Sequence, residues 1–177
     1  MKKYTIKNST IYENGVVTAL VGVEDVKVQD CTIARLTDGD KIVAWPPQER
    51  YEKDGVAQYK KVITWNGEAM NAAAAELVAN PTDALHLYAE PFAVNGGQKI
   101  GVATLNGDVT VKVTVLTKED GSKSLVLPGR KYEKDGKTRT AYFVWPFEST
   151  GDELKADIDN FIKEIVDQAK PYQPAEQ

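Results

Sequence analysis

The side chains best suited to chemistry in this chain are cations interleaved with aromatic rings, and they occur in two places. Between Lys123 and Arg139, six basic residues (Lys123, Arg130, Lys131, Lys134, Lys137 and Arg139) meet only Glu133 and Asp135, a local net charge of +4. The whole 177-residue chain carries a formal −4, so everything outside that stretch sums to −8. From Arg50 to Lys61, the cations Arg50, Lys53, Lys60 and Lys61 stand against Glu52 and Asp54, a net +2. Trp45, Tyr51, Tyr59 and Trp65 punctuate the first stretch, and Tyr132, Tyr142 and Trp145 the second. Ammonium and guanidinium groups neutralise phosphates and release counterions, while exposed rings stack on bases for about 1–3 kcal/mol each. The chemistry on offer is therefore the binding of a polyanion, with nucleic acid the natural choice. Against it stands the plainer reading of a solvated charged turn with tryptophans at strand ends belonging to the core. The acidic overall balance also weakens long-range attraction.

Catalysis has little to stand on. The chain contains no glycine-rich phosphate loop, no His/Glu pair at metal-ligand spacing and no nucleophile elbow. His86, the single histidine, sits in "DALHLYAEP" between Leu85 and Leu87 and reads as a strand residue at a solvent-facing or rim position. Cys31, the single cysteine, alternates with apolar residues and has no cationic neighbour to lower its pKa, so it reads as a small buried hydrophobe. One cysteine also excludes an internal disulfide, and one histidine excludes a His-rich metal cluster. Neither an enzyme nor a cofactor is expected. No stretch reaches the roughly 18 apolar residues of a membrane helix, and the basic start Met1-Lys2-Lys3 leads into no apolar signal segment, so the expected compartment is the cytoplasm.

What must position the cations is a repeated unit. "RYEKDG" at 50–55 recurs as "KYEKDG" at 131–136, Asn14-Gly15 as Asn95-Gly96, "EDVKV" as "GDVTV", and Asp38-Gly39 as Asp120-Gly121. The offset drifts only between 81 and 83 residues, the mark of a collinear tandem duplication. The expected division is residues 1–80 and 81–177, each too small to bury a full core alone. In the first copy, strands are expected at Tyr4–Tyr12 and Val16–Val23 around an Asn-Gly type I′ turn, then at Val26–Leu36. In that third strand the apolar parity changes between Val26/Val28 and Cys31/Ile33, which predicts a bulge near Gln29-Asp30. Lys41–Trp45 is a strand that Pro46-Pro47 ends. A charged loop with Asp54-Gly55 leads to a strand at Gln58–Trp65. Asn66 is the expected N-cap of an alanine-rich helix stopped at Asn80-Pro81. In the second copy, Thr150-Gly151-Asp152-Glu153 predicts a capping box, and Leu154, Ile158, Phe161, Ile162, Ile165 and Val166 mark the buried face of the following helix. The tail from Lys170 is expected to fray.

This order of elements resembles the septation regulator SpoVG family: an Asp-Gly turn, a strand ending in proline, a basic segment with Asp-Gly, another strand and a helix. The resemblance spans residues 16–78 and 99–168, and its most specific motif is proline, a small residue, two basic residues and then Asp-Gly. The second copy keeps it as Pro128-Gly129-Arg130-Lys131 with Asp135-Gly136, and Trp145-Pro146-Phe147 is similar to the family's aromatic-Pro-apolar strand end. The first copy departs from it, with Pro46-Pro47-Gln48-Glu49-Arg50 and no proline after Trp65. Gly129 replaces the family's hydroxyl residue, and its bare backbone is expected to approach a phosphate closely.

The resemblance implies an α+β fold of two SpoVG-like units, each a small, mainly antiparallel sheet with a C-terminal helix, packed as a pseudo-dimer within one chain. It also implies a bacterial, cytoplasmic regulator that binds DNA and also RNA. Arg130, Lys131, Lys134, Lys137 and Arg139 are then the expected phosphate ligands, with Arg50, Lys53, Lys60 and Lys61 secondary and Tyr51 and Tyr132 stacking on bases. No catalytic residue, metal or membrane is expected, and further oligomerisation is left open. The alternative is a protein-interaction or structural module that kept the fold without nucleic-acid binding.

Overall fold

The computed structural model describes residues 4–24, 26–35, 41–79, 85–87, 93–94, 99–105 and 109–174. These residues form an α+β protein made mostly of strands, arranged in several small, largely antiparallel sheets with two helices.

β1 (Tyr4–Ile11) and β2 (Val17–Val23) form the first hairpin. Its turn is not the expected type I′. Only Gly15 has a positive φ (84°), the Gly15 N–H donates to the Tyr12 carbonyl at 2.9 Å, and the Val16 N–H donates to Asn14 Oδ1 at 3.1 Å. This is a three-residue loop with glycine in the left-handed position, in which the Asn14 side chain closes the turn instead of entering left-handed space itself.

β3 (Val26–Arg35) carries the bulge expected from its parity change: Gln29 and Asp30 face the single residue Val102 of β10 (Lys99–Leu105), and Asp30 takes φ 59°. β4 (Ile42–Trp45) ends at Pro46. There follow β5 (Gln48–Lys53), β6 (Val56–Lys61), β7 (Ile63–Thr64) and α1 (Gly67–Ala79). Asn66 caps α1 as expected, its Oδ1 accepting the Ala69 N–H at 3.1 Å. Asn71 Oδ1 accepts the Ala44 N–H at 2.8 Å and ties the helix to β4.

β8 (Leu85–Leu87), which holds His86, and β9 (Ala93–Val94) precede β10. Then come β11 (Val109–Thr117), β12 (Lys123–Val126), β13 (Gly129–Lys134), β14 (Lys137–Tyr142), α2 (Gly151–Gln168) and the short β15 (Lys170–Pro171). β15 joins the edge of β1, and Tyr172 stacks on Tyr12 with centroids 4.9 Å apart, so the tail is held at least to this point. The expected turns at Asp38-Gly39 and Asn95-Gly96, and the Asn80-Pro81 stop, lie outside the described residues.

Two sheets carry the fold, and each takes strands from both halves of the chain. The first runs β12-β11-β2-β1-β15, with β7 also on β11; the second runs β4-β3-β10-β8, with β9 also on β3. By the repeat offset β10 corresponds to β2 and β11 to β3, so the pairing of β2 with β11 and of β3 with β10 is reciprocal, each strand meeting the counterpart of its neighbour. Two isolated bonds repeat the relation: the Gln29 N–H reaches the Phe143 carbonyl and the Lys112 N–H reaches the Val62 carbonyl, both at 2.9 Å. Gln29 and Lys112 are 83 residues apart, Val62 and Phe143 are 81 apart, so the pair follows the offset of the sequence repeat.

The alternating valines make the core. Val17, Ala19, Val21 and Val23 on β2, and Val109, Val111, Val113 and Val115 on β11, are all buried, with Thr18 and Leu20 on the opposite face. α2 lays Phe161, Ile162 and Ile165 over the first sheet. Ser9 Oγ donates to the Ile165 carbonyl at 2.7 Å, and the Tyr4 ring meets Phe161 edge-on at 4.9 Å. The capping box does not form: Thr150 makes no side-chain cap bond, the Leu154 N–H uses the Thr150 carbonyl at 3.3 Å, and Ser149 Oγ donates to Asp157 Oδ2. The helix is held by its apolar face, not by its cap. Truncating Phe161 to alanine is expected to cost about 3–5 kcal/mol, read as a lowered midpoint in a denaturant melt with an unchanged slope.

Candidate nucleic-acid interface

The repeated hexapeptides form the tips of two matching hairpins. Asp54 and Gly55 have φ of 54° and 76°, and Asp135 and Gly136 have 54° and 73°. Both central residues are left-handed, as a type I′ turn demands, and Asp-Gly is among the pairs best able to supply that. In the first copy the segment expected as a charged loop is instead paired from Gln48↔Lys61 to Lys53↔Val56, so strand pairing starts ten residues earlier than Gln58. The apolar alternation that marks half-buried strands is missing because these arms are solvated on both faces; the turn and the ladder hold them.

The tight turn fixes which side chains share a face. In β13–β14 the opposed pairs are Arg130↔Ala141, Lys131↔Thr140, Tyr132↔Arg139, Glu133↔Thr138 and Lys134↔Lys137. Directly opposed residues point to the same side, and sides alternate along a strand. One face therefore carries Arg130, Tyr132, Lys134, Lys137 and Arg139: four cations and a tyrosine, with no acid. The other carries Lys131, Glu133, Thr138 and Thr140, and its side chains satisfy one another. Lys131 Nζ donates to Thr140 Oγ1 at 2.6 Å, and Thr138 Oγ1 donates to Glu133 Oε1 at 2.7 Å.

The cationic face is exposed along its length. Lys134 and Lys137 sit directly opposite each other, an arrangement of like charges that costs stability until an anion lies between them. Arg130 Nε donates to Asp30 Oδ2 at 3.2 Å, and that carboxylate is only 18% exposed at the β3 bulge. The bulge of one half thus braces the first cation of the other half's hairpin and leaves the two terminal NH2 groups for phosphate. Asp30 is a site residue that composition alone does not flag, although the parity change that locates the bulge points to it.

The first hairpin divides its cations differently. Glu49, Tyr51, Lys53, Val56, Gln58 and Lys60 occupy the face equivalent to the cationic strip. There Lys60 is spent on Glu49 at 3.1 Å and lies 5.9 Å from the Tyr51 ring centroid, which leaves Lys53 as the cation of that face without an ion pair among the described residues. Glu49 Oε2 also accepts the Gly129 N–H at 3.3 Å, where the bases of the two hairpins meet. Arg50 and Lys61 are on the opposite face with Tyr59, and Arg50 pairs with Glu52 at 3.1 Å on the surface.

Contrary to the expectation from sequence, Gly129 is buried and does not offer its backbone to a phosphate; its N–H is engaged by Glu49 and its Cα lies against β14. A Cβ there would stand 2.5 Å from the Ala141 carbonyl oxygen and 2.6 Å from Thr140 Cγ2. Gly129→Ala is therefore expected to lose about 1–3 kcal/mol of stability by forcing the hairpin apart at its root, measured by thermal melting.

The aromatic residues also separate by role. Tyr132 stands within the cationic face, 37% exposed. Tyr142 and Trp145 belong to a ring ladder, Tyr142–Trp145 at 5.1 Å, Trp145–Phe147 at 5.3 Å and Phe147–Phe161 at 5.5 Å, which runs into the core beneath α2. Trp45, Tyr59 and Trp65 line a groove of about 1200 Å³ between the hairpins. Cys31 is buried at β3, and the His86 side chain lies outside the described residues. Among the described residues no helix is long and apolar enough to cross a membrane. No family model matches the chain, and neither a curated protein nor a solved structure shows significant similarity to it.

Proposed function

We propose that this protein is a cytoplasmic nucleic-acid-binding regulator, acting on DNA and also RNA through the hairpin at 129–142, with two SpoVG-like units folded as a pseudo-dimer in one chain. The observation that carries the reading is the one-sided strip of Arg130, Lys134, Lys137 and Arg139 around Tyr132. Four cations in register on a projecting arm follow a phosphate backbone, and the ring among them offers a stacking surface. The pseudo-dimer is supported by the reciprocal pairing of β2 with β11 and β3 with β10, which sets both hairpin roots side by side. Two-fold assemblies present one patch twice; here the second arm retains the shape, while Glu49 and Gln58 stand where Arg130 and Arg139 stand in its sister.

Fluorescence polarisation with single- and double-stranded oligonucleotides tests the reading. If four phosphates are engaged, affinity should drop about 50- to 150-fold as salt rises from roughly 50 to 200 mM. Absence of binding at low salt would hand the fold to the alternative, a protein-interaction module.

A further inference from the structure

We infer that the groove between the two hairpins receives the unpaired bases of a single strand, an assignment that rests on the nucleic-acid reading above and names the form of the ligand. Trp45 is 41% exposed and Tyr59 is 61% exposed, while Trp65 is half-buried. None of the three stacks on another ring among the described residues, in contrast to the Tyr142–Trp145–Phe147 ladder. Large rings left open on an otherwise well-packed protein mark a surface that something flat is meant to cover.

Charge selects the class of occupant. Arg50, Lys61, Arg130 and Lys131 line the groove against Asp30 and Glu49. Asp30 is paired with Arg130, Glu49 with Lys60 and the Gly129 N–H, and Arg50 with Glu52, so Lys61 and Lys131 are the lining cations without an ion pair among the described residues. The lining is therefore cationic and aromatic together. A duplex buries its base faces in its own stack, so open rings between cations suit a strand whose bases are splayed out. At about 1200 Å³ the groove exceeds the size of a drug-like pocket and has room for more than one nucleotide. Its rings are not repeated in the second half, which has Val126 where the first has Trp45 and Thr140 where it has Tyr59.

The chain has three tryptophans, and replacing Trp145 with phenylalanine leaves only the two that line the groove. Adding an oligothymidylate of roughly 15 nucleotides, long enough to cross one such site, should quench the emission of Trp145→Phe protein, whereas a blunt duplex should not. Trp45→Ala and Tyr59→Ala should each weaken oligothymidylate binding by about 5- to 100-fold in polarisation and leave duplex binding nearly unchanged. Both side chains are well exposed, so an unaltered melting temperature should accompany the loss. Undiminished oligothymidylate affinity in both variants, or binding without quenching, would overturn the groove assignment while leaving the hairpin reading intact. Failure of every oligonucleotide to bind at low salt would overturn both. Quenching of the groove tryptophans by a proline-rich peptide but not by oligothymidylate would overturn the groove assignment alone.

Discussion

Replacing Lys134 and Arg139 together by glutamate should reduce oligonucleotide affinity by at least about a hundredfold at moderate salt, to the level of background association. Two phosphate contacts are removed, and two negative charges are placed beside the Arg130 and Lys137 that remain, so attraction is lost and repulsion added. The variant should fold normally, because both positions are exposed on the hairpin and neither side chain makes a hydrogen bond or ion pair among the described residues. The matched control is Lys118→Glu with Lys155→Glu, which shifts net charge by the same amount from exposed positions outside the hairpin. If binding followed net charge alone, both double variants would lose equally. A strip that acts through its geometry predicts a large loss in the first and only a few-fold loss in the second.

Separating the halves should have the largest effect on stability. Expressed alone, residues 1–80 lose β11 from β2 along the whole register from Val23↔Val109 to Val17↔Val115, and β3 loses β10. Val17, Ala19, Val21 and Val23 then lose the strand beside them, and two new sheet edges stand open. Loss of the exchanged strands removes more than the roughly 5–15 kcal/mol net stability of an ordinary domain. Each fragment should therefore be unfolded by circular dichroism or self-associated by analytical ultracentrifugation, and mixing the two should restore a folded one-to-one complex. A monomeric fragment with a cooperative melt would contradict the exchanged architecture.

How far sequence reaches into this structure differs from element to element. The bulge at Gln29-Asp30 was legible because a bulge shifts the inward parity by one residue, and Val26/Val28 against Cys31/Ile33 records that shift. Asn66 was legible because a side-chain cap is a local interaction. Thr150 has equally good local chemistry but makes no side-chain cap, since the burial of Phe161 and Ile165 already fixes the helix and Ser149 bonds to Asp157 nearby. Asn14-Gly15 misleads because one glycine in left-handed space, with Asn14 closing the turn, suffices for a three-residue loop.

The hairpin arms were hidden by their composition. Strands solvated on both faces need no apolar alternation, so "QERYEK" looks like loop, while its partner is expected to be a strand only from Gln58 onward. The cations themselves were visible from the start; their partition into faces was not. That partition follows from the register set at Asp135-Gly136, which puts Lys131 opposite Thr140 and away from Arg130. The exchange of β2 and β3 between the sheets is likewise invisible in one dimension, because valine-rich strands of equal period give no indication of their neighbour.

Whether the β13–β14 face meets a nucleic-acid backbone can be read most directly from amide chemical-shift mapping during titration with an oligonucleotide. The largest perturbations are expected between Arg130 and Arg139, fading as salt is added. Perturbations confined to α2 or to the outer faces of the sheets, with the hairpin amides unmoved, would contradict that contact.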